Sequence, residues 1–334
     1  MTTVLECLNG ALDAAMESDP SIYLLGEDIL DPYGGAFKVT RGLSEKFPNR
    51  VLTTPISEAA IVGIASGMAM RGLRPIVEIM FGDFITLCAD QLVNHTSKFR
   101  WMYNDQVRVP IVVRSPMGGR RGYGPTHSQS LEKMFMGVPG LKVVAPNTLG
   151  DPAKLLTAAI ADNDPVLFIE HKMLYNRSLQ TPGEGDLIDF QLVGSGGYYP
   201  CHILRSGANP QATIACYGYN FELVRAAALE LLIEHEIFTE IFIFSQLSPF
   251  NLELLIQSLL KTRNLLSVEE GTLSMGWGAE IIARVAENMV GIKAKRVAAL
   301  DLPIATSKNL EENILPSIKD IVNAAISLVT KPFA

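Results

Sequence analysis

Glu58 stands at the head of an apolar run in the segment TTPISEAAIVGIASGMAMRGLRP, which covers residues 53–75. An acid in that place, after a capping residue such as Ser57, is a common way to start a helix. The run EAAIVGIASGMAM has no polar face, so we expect the start of this helix to be buried. A buried glutamate must be paired, protonated or bound to a ligand. Glu58 is therefore the first candidate for proton chemistry.

His127 lies in the glycine-rich and basic stretch GGRRGYGPTHSQS, residues 118–130. Its polar neighbours can fix the tautomer of the imidazole, although a lone loop histidine is more often a structural residue. The stretch is neither a GxGxxG motif nor a P-loop, and Ser128 lacks the G-x-S-x-G setting of a nucleophilic serine. These residues are compatible with proton transfer, but they do not name the reaction.

Met80 and Phe84 follow a strand-like run in EIMFGDF. Large apolar side chains in that place usually belong to the core, and the alternative is a slot for a flat ring. Farther along, SVEEGTLSMGWGAEI puts two acids at the end of another strand-like run, before a turn bracketed by glycines. The two interpretations of that stretch are an exposed turn and a contact surface for another chain.

Strand-like runs alternate with helical patterns in the first half of the chain, which predicts an α/β fold with a mainly parallel sheet. Ligands of such sheets bind at the carboxyl ends of the strands. The loops at Glu27–Asp28, Glu58, 80–84 and 114–127 are therefore expected on the functional face. The runs cover residues 22–26, 75–80, 109–114, 141–146 and 165–170, and a capped helix is predicted over 151–160.

The alternation of strand-like and helical runs ends at NRSLQTPGEGDLIDFQLVGSGGYYP. This stretch is rich in Gly, Pro and polar residues and predicts a linker. A second α/β pattern follows, with strand-like runs such as ATIACYG and helical runs such as GAEIIARVAENM. We predict one domain over residues 1–180, a linker over 181–210 and a smaller α/β domain over 211–334.

Composition excludes several classes of protein. The chain has 334 residues, 48% of them hydrophobic, and a formal charge of −7, which argues against nucleic acid and anionic membranes as partners. The apolar run at 59–70 is too short to span a bilayer. The first residues lack the basic start of a secretory signal, and the four cysteines have no metal-ligand spacing. We therefore expect a cytoplasmic protein.

Several stretches, in this order, resemble one family. The sequence is similar to the beta subunits of the thiamine-diphosphate-dependent component of 2-oxo acid dehydrogenase complexes, such as pyruvate dehydrogenase. The resemblance is dense over residues 4–176 and thinner over 211–334, and it implies a transketolase-like pyrimidine-binding domain followed by a transketolase C-terminal-like domain. The stretches are LLGEDI, YGGAFKVTRGLSEKF, TPISEAAIVGIASGMAMRGLRPIVEIMFGDF, DQLVNHTSKFR, VPIVVRSPMGG, HSQS, PGLKVVAPNT and DPVLFIEHKMLY.

The resemblance also implies roles for particular residues. Glu58 corresponds to the acid that hydrogen-bonds N1′ of the cofactor's aminopyrimidine, and Met80 and Phe84 correspond to the lining of the pyrimidine slot. His127 matches the histidine near the reacting centre, which positions the substrate or intermediate and assists acyl transfer. A site for a monovalent cation such as K⁺, formed mainly by backbone carbonyls, is implied at Ile111, Ala159, Asp162 and Asp164.

The family's motif for diphosphate and magnesium, a GDG followed some thirty residues later by an Asn, is missing from this chain. In the family that half of the site comes from the alpha subunit, which ligates the Mg²⁺. The resemblance therefore implies that this chain is half of an enzyme, active in an α2β2 heterotetramer, with a lipoyl acyltransferase core as a further partner.

The chain departs from the family pattern at FSQLSPFN, where Ser245 stands in the position of an arginine and Asn251 in that of an aspartate. The leading hypothesis is decarboxylation of a 2-oxo acid, with pyruvate preferred, and acyl transfer to a lipoyl group. The departure motivates an alternative, a stand-alone carboligase that forms acyloins without a lipoyl partner. A third hypothesis is a non-catalytic subunit, against which the presence of Glu58 and His127 argues.

Overall fold

The computed structural model describes residues 2–180, 191–192 and 199–330. They fall into two units, each with its own core. The first unit consists of Met1–Gly118 and Met134–Leu179, and the second of Gly119–Lys133 and Gln180–Ala334. Among the described residues, no helix is both long and apolar enough to cross a membrane.

A parallel sheet forms the centre of the first unit. Its strands are short and buried on both faces, as expected where helices cover a sheet. Six strands of this unit lie in the order β5-β6-β4-β3-β1-β2, and all neighbours are parallel. They are β1 (Ile22–Gly26), β2 (Val51–Thr53), β3 (Arg74–Glu78), β4 (Val112–Met117), β5 (Lys142–Val144) and β6 (Val166–His171).

The helices of the first unit begin in different ways. A capping box of Thr3 and Glu6 starts the first helix, and Asp151 caps the fifth, which has Pro152 in its first turn as the sequence predicts. A 3₁₀ helix over Gly82–Cys88 and a π-helix over Gln91–Thr96 follow β3. The α-helices are α1 (Val4–Ser18), α2 (Leu43–Lys46), α3 (Glu58–Met70), α4 (Phe99–Met102) and α5 (Pro152–Ala161).

The second unit contains a mixed sheet in the order β13-β12-β9-β10-β8-β7. The pairs among β13, β12, β9 and β10 are parallel, whereas β8 and β7 are added antiparallel at one edge. The strands of this sheet are β7 (Gln191–Leu192), β8 (Cys201–Arg205), β9 (Ala212–Tyr217), β10 (Thr239–Phe244), β12 (Asn264–Thr272) and β13 (Lys293–Ala299). A further short strand, β11 (Gln246–Ser248), lies outside it. The helices are α6 (Asn220–His235), α7 (Glu253–Thr262), α8 (Trp277–Asn288), α9 (Lys308–Ile314) and α10 (Ile318–Thr330).

The predicted fold class, an α/β protein with mainly parallel sheets, is confirmed, and two features differ in detail from the sequence-based picture. Part of the predicted linker, residues 181–190 and 193–198, lies outside the described residues, but Cys201–Arg205 within that interval forms β8 and pairs with β10. Residues 119–133, which follow β4 in the chain, pack with the second unit. The assignment of residues 1–180 and 211–334 to separate domains stays a prediction.

Candidate active site

Glu58 is the first residue of α3, and only 5% of it is exposed. No hydrogen bond or ion pair joins its carboxylate to another described residue. Ser57 does not cap the helix through its side chain, contrary to the expectation from the sequence. Its backbone N–H instead donates to the carboxylate of Glu27. Glu58 as a residue is therefore largely buried, and its carboxylate has no partner of its own among the described side chains.

Glu27 follows directly after β1 and is also buried. Burial, followed by the nearby Glu58 carboxylate, raises the pKa of Glu27 above its usual value. Its Oε1 atom has no hydrogen-bond partner among the described residues. A carboxyl group that is buried next to another acid ionises less easily, so Glu27 favours retention of its proton.

Met80 and Phe84 lie just beyond the carboxyl end of β3, and both are half-buried. The 3₁₀ helix that contains Phe84 packs against α3. Cys88 lies at the end of this 3₁₀ helix. Burial, followed by the charge of the nearby Glu58 carboxylate, raises the pKa of its thiol to about 12. The structure thus brings Glu58 and the segment 80–88 to the same edge of the parallel sheet.

A buried charged network lies beside this edge, and the sequence analysis did not identify it. Arg114 on β4 is 1% exposed and donates from Nε and Nη2 to Glu170 on β6, at 2.7 and 2.8 Å. Its Nη1 donates to Glu78 on β3 at 3.0 Å, and the Tyr175 hydroxyl donates to Glu170 at 2.7 Å. Burial raises the pKa of Glu78. Charged residues inside strand-like runs were the available signal in the sequence.

The network supports the aromatic residues next to Met80. The Ala36 backbone N–H donates to Glu78, and the neighbouring Phe37 ring stacks on Tyr175 with 5.3 Å between centroids. Phe37 meets Phe81 edge-on at 5.6 Å, and Phe81 meets Phe84 edge-on at 5.9 Å. A continuous line of packed rings therefore runs from the buried arginine network to Phe84.

The four residues predicted to hold a monovalent cation lie at the ends of elements in the first unit. The Ile111 carbonyl accepts the N–H of Val166 at 2.9 Å, and the Ala159 carbonyl accepts that of Asp162 at 3.3 Å. The Asp162 carbonyl accepts from Arg74 Nη1 at 3.0 Å. A cation here would use the second lone pairs of these carbonyls.

The carboxylates of the same region already have cationic partners. Lys142 Nζ lies 2.7 Å from Asp162 and 3.2 Å from Asp164, and Arg100 Nη1 lies 2.6 Å from Asp164. The side chains are therefore neutralised by the protein itself, and the cation site stays a prediction. Within the described ranges, no three His, Cys, Asp or Glu side chains are grouped so that they could hold a metal ion.

His127 belongs to the second unit, in the segment 119–133, and is half-buried. Its Nδ1 lies 3.1 Å from the Thr126 hydroxyl, and its backbone N–H donates to Gly124 at 3.4 Å. The predicted site residues are thus divided, because Glu58, Met80 and Phe84 belong to the first unit.

The two acids of SVEEG are both buried, so the expectation of exposed acids is wrong, whereas the contact surface for another chain stays a prediction. Glu269 accepts the backbone N–H groups of Trp277 and Gly278 at 2.7 and 2.9 Å, at the start of α8. Burial raises its pKa to about 7, despite those two hydrogen bonds. Glu270 accepts the N–H of Gly119 at 2.8 Å.

The departure from the family pattern at residues 245–251 lies beside a cavity of about 620 Å³ in the second unit. Ser245 is buried and donates its backbone N–H to Pro200 at 3.2 Å, whereas Asn251 accepts the N–H of Glu253. Phe244 and Phe250 also line this cavity. Most of the lining is therefore apolar, and Glu253 is its charged residue.

Comparison with known proteins assigns the chain. Residues 1–178 match the transketolase pyrimidine-binding domain, and residues 201–321 match the transketolase C-terminal domain. The beta-1 subunit of the mitochondrial pyruvate dehydrogenase E1 component from Oryza sativa subsp. japonica is 37% identical over 97% of this chain and 85% of that protein. The chain belongs to the family of pyruvate dehydrogenase E1 beta subunits. The resemblance found in the sequence is confirmed.

Two further relatives and one solved structure are similar to this E1 beta family member. The mitochondrial pyruvate dehydrogenase E1 beta subunit of Bos taurus is 37% identical over 96% of this chain and 89% of its own length. The beta subunit of acetoin:2,6-dichlorophenolindophenol oxidoreductase from Cupriavidus necator is 37% identical over 95% and 94%. A split-gene transketolase, solved as an inactive beta4 tetramer, has a TM-score of 0.77 at 19% identity and covers 99% of both chains, which supports the fold.

Proposed function

We propose that this E1 beta-type chain is the beta subunit of a thiamine-diphosphate-dependent pyruvate dehydrogenase. With an alpha subunit it decarboxylates pyruvate and transfers the acyl group to a lipoyl acceptor. The observation that carries the proposal is the Glu58 carboxylate, buried and without a partner among the described residues, in a chain 37% identical to E1 beta subunits.

The residues at the edge of the first sheet fit the aminopyrimidine half of thiamine diphosphate. When bound, this cofactor supplies the electron sink for decarboxylation. Glu58 would hold the ring nitrogen N1′, and Met80 and Phe84 would flank the ring. Because Glu58 is 5% exposed, little water competes for that hydrogen bond. Burial, followed by the nearby Glu58 carboxylate, raises the pKa of Glu27, so Glu27 favours its protonated form beside this contact.

His127 is proposed to contact the substrate and to assist acyl transfer. Its imidazole is half-buried and lies beside the Thr126 hydroxyl, which can donate to or accept from the ring nitrogen and so orient the ring. The K⁺ site at Ile111, Ala159, Asp162 and Asp164 is part of the same proposal and would stabilise the first unit.

An alpha subunit is proposed as the partner that ligates Mg²⁺ and completes the diphosphate half of the site. The exposed face of α3 supports contact with an alpha subunit, because Ile64 is 57% exposed and Ile56, just before the helix, is 84% exposed. Apolar surface of this kind marks an interface with another protein. We propose an α2β2 heterotetramer that docks on a lipoyl acyltransferase core. Cytoplasmic localisation stays a prediction, since the rice and cattle relatives are mitochondrial proteins.

The alternative is the beta subunit of a carboligase that joins the acyl unit to an aldehyde without a lipoyl partner. Two observations favour this carboligase alternative. The acetoin oxidoreductase subunit of Cupriavidus necator is as similar as the cattle subunit, at 37% identity. Ser245 and Asn251 also replace the family's charged pair beside the mainly apolar cavity.

The proposal is tested on the endogenous assembly, purified gently from its source through a tag on this chain. Native mass spectrometry is expected to show an α2β2 core with thiamine diphosphate and an attached acyltransferase. Pyruvate-dependent acylation of a purified lipoyl domain would support the dehydrogenase. An α2β2 core that forms acyloins and leaves the lipoyl domain unmodified would support the carboligase, and a core that binds no thiamine diphosphate would exclude both.

A further inference from the structure

The segment that carries His127 is anchored at its start by a buried carboxylate on α9. Glu311 is 2% exposed, and its two oxygens accept two different backbone N–H groups. Arg120 N–H donates to Oε1 at 2.7 Å, and Gly122 N–H donates to Oε2 at 3.2 Å. The carboxylate therefore fixes three successive residues of the segment, seven to five positions before His127.

A second carboxylate, Glu270 on β12, holds the same end. It is 4% exposed and accepts the Gly119 N–H at 2.8 Å and the Arg120 Nε at 3.1 Å. The Ser130 hydroxyl on the far side of His127 donates to Glu270 Oε1 at 3.4 Å. One buried acid thus joins the two ends of the loop.

The far end of the segment has its own anchors in the second unit. The Tyr217 hydroxyl donates to Glu132, which is 2% exposed. Lys133 Nζ donates to the Thr272 carbonyl at 3.2 Å and to the Ser274 carbonyl at 2.6 Å. Both flanks of the loop are therefore fixed by hydrogen bonds that involve a charged group, which are stronger than neutral ones.

The tip of the loop packs on Thr306 through two glycines with positive φ. A Cβ built at Gly122 would lie 3.2 Å from the Thr306 carbonyl oxygen, and one at Gly124 would lie 2.6 Å from its hydroxyl. Thr126 and His127 follow immediately. A side chain at Gly124 would require a shift of the Thr306 hydroxyl and a positive φ, so glycine favours the backbone path that leads to His127.

We propose that Glu311 is a positioning residue for His127. By holding the backbone of residues 120–122, with Glu270 as a second anchor, it fixes the place from which the imidazole reaches the substrate. This inference rests on the proposed function, in which His127 contacts the substrate. Glu311 itself touches no reacting atom in this proposal.

The geometry explains why a carboxylate is needed rather than an amide. Two N–H donors reach two separate oxygens, and a carboxylate offers an acceptor at both positions. In Glu311→Gln, one oxygen becomes an NH₂ group that meets a backbone N–H. One of the two anchors is then lost and a repulsive contact replaces it. The change is nearly isosteric, so the packing of α9 is retained.

Glu312→Gln is the matched control. It is the next residue on the same helix, its side chain is 59% exposed, and its ionic partner is Lys308 at 3.8 Å. The control makes the same change of charge without touching the loop.

The first measurement is hydrogen exchange by mass spectrometry, on the wild type and both variants assembled with the alpha subunit. Glu311→Gln is expected to speed the exchange of amides in residues 119–130 by about tenfold or more, because their opening becomes easier. Glu312→Gln is expected to leave that exchange unchanged. Equal exchange in all three proteins would overturn the proposal, and this readout does not depend on activity.

The second measurement is a double-mutant cycle with His127→Ala on lipoyl acylation. Glu311→Gln is expected to lower kcat by about 10- to 100-fold with a small change in KM, since a displacement near 1 Å has effects of this size. The double variant is expected to be no slower than His127→Ala alone, because both substitutions remove the same contribution, that of a correctly placed imidazole. Full additivity would overturn the positioning role. An inactive wild-type assembly that lacks pyruvate chemistry would instead overturn the proposed function.

A second variant keeps the test decisive where Glu311→Gln fails to assemble. Glu270→Gln removes an acceptor from Gly119 N–H or Arg120 at the other anchor. It is expected to produce the same faster exchange and the same non-additivity with His127→Ala. Unchanged exchange and activity in this variant would contradict the proposal.

Discussion

Buried glutamates have opposite surroundings in the two units. In the first unit, Glu58 has no hydrogen-bond partner among the described residues, and Glu27 has one oxygen in the same condition. In the second unit, Glu270 and Glu311 have both oxygens bonded to a single loop. The first pair has acceptor atoms without a hydrogen-bond donor among the described residues, whereas the second pair uses its acceptors to hold the backbone.

Under the proposed function, this difference separates an acid that takes part in the chemistry from acids that maintain a geometry. An unbonded buried carboxylate destabilises the fold until a ligand supplies the missing donor, so its removal costs activity and not stability. A fully bonded carboxylate holds the backbone that it contacts, so its removal loosens that segment, and any loss of activity follows from the loosening. Burial alone, which is nearly equal for Glu58 and Glu270 at 5% and 4%, does not distinguish the two classes.

The largest effect is expected for Glu58→Gln. The variant should lower kcat of the assembled enzyme by about 10²–10⁴-fold, because a positioned acid–base group contributes that much. Its free energy of unfolding should change little, since Glu58 makes no hydrogen bond to another described residue that the substitution would break. Steady-state kinetics and denaturant unfolding check the two parts.

Glu280→Gln, in the first turn of α8 and exposed, is the control for Glu58 and should change neither quantity. A Glu58→Gln variant with wild-type activity would show that Glu58 takes no part in the reaction. The contrast between the two units would then fail.

Arg114→Met tests the bonded charges of the first unit. It leaves Glu170 and Glu78 buried without their cation, and we expect a loss of about 3–5 kcal/mol in the free energy of unfolding. Lys154→Met, at an exposed pair with Asp151, should have little effect. A small effect of Arg114→Met in urea unfolding would show that the network does not support the sheet.

Glu269 predicts a pH dependence of stability. Its pKa is about 7 in the folded protein against a usual value of 4.5, so the folded state binds more protons between these values. Stability therefore falls as pH rises from 4.5 to 7, by about 2–3 kcal/mol from this group. Denaturant unfolding at several pH values should show that the free energy of unfolding falls less steeply with pH for Glu269→Gln than for the wild type. Identical slopes would contradict the assignment.

The smallest effect is expected for Gly124→Ala in the His127 loop. A methyl group there meets the Thr306 hydroxyl at 2.6 Å with φ at +76°, and we expect a loss of about 1–2 kcal/mol. Gly291→Ala has φ at +69° and open space around its Cβ, so it isolates the backbone contribution. Thermal unfolding of both variants measures the difference, and equal losses would show that Thr306 does not constrain the loop.

Much of the first unit could be predicted from local patterns. The strand over 22–26 and the capped helix at Asp151 agree with the structure, because branched runs and a capping aspartate act over a few residues. The strand β8 was missed, since its short run CHILR lies next to a stretch rich in Gly and Pro. The start of α3 was predicted to be capped by Ser57, but the Glu27 carboxylate takes the Ser57 N–H instead.

By itself, the sequence determined the α/β class, the family and the identity of Glu58 as the acid to examine. Local periodicity and a dense series of motifs contain that information. Only the tertiary structure decided which buried acids are bonded and which are open. The reason is distance along the chain, because Glu270 and Glu311 meet their loop donors across 151 and 191 residues. Such partners are chosen by the packing of whole elements, and no local pattern in the sequence specifies them.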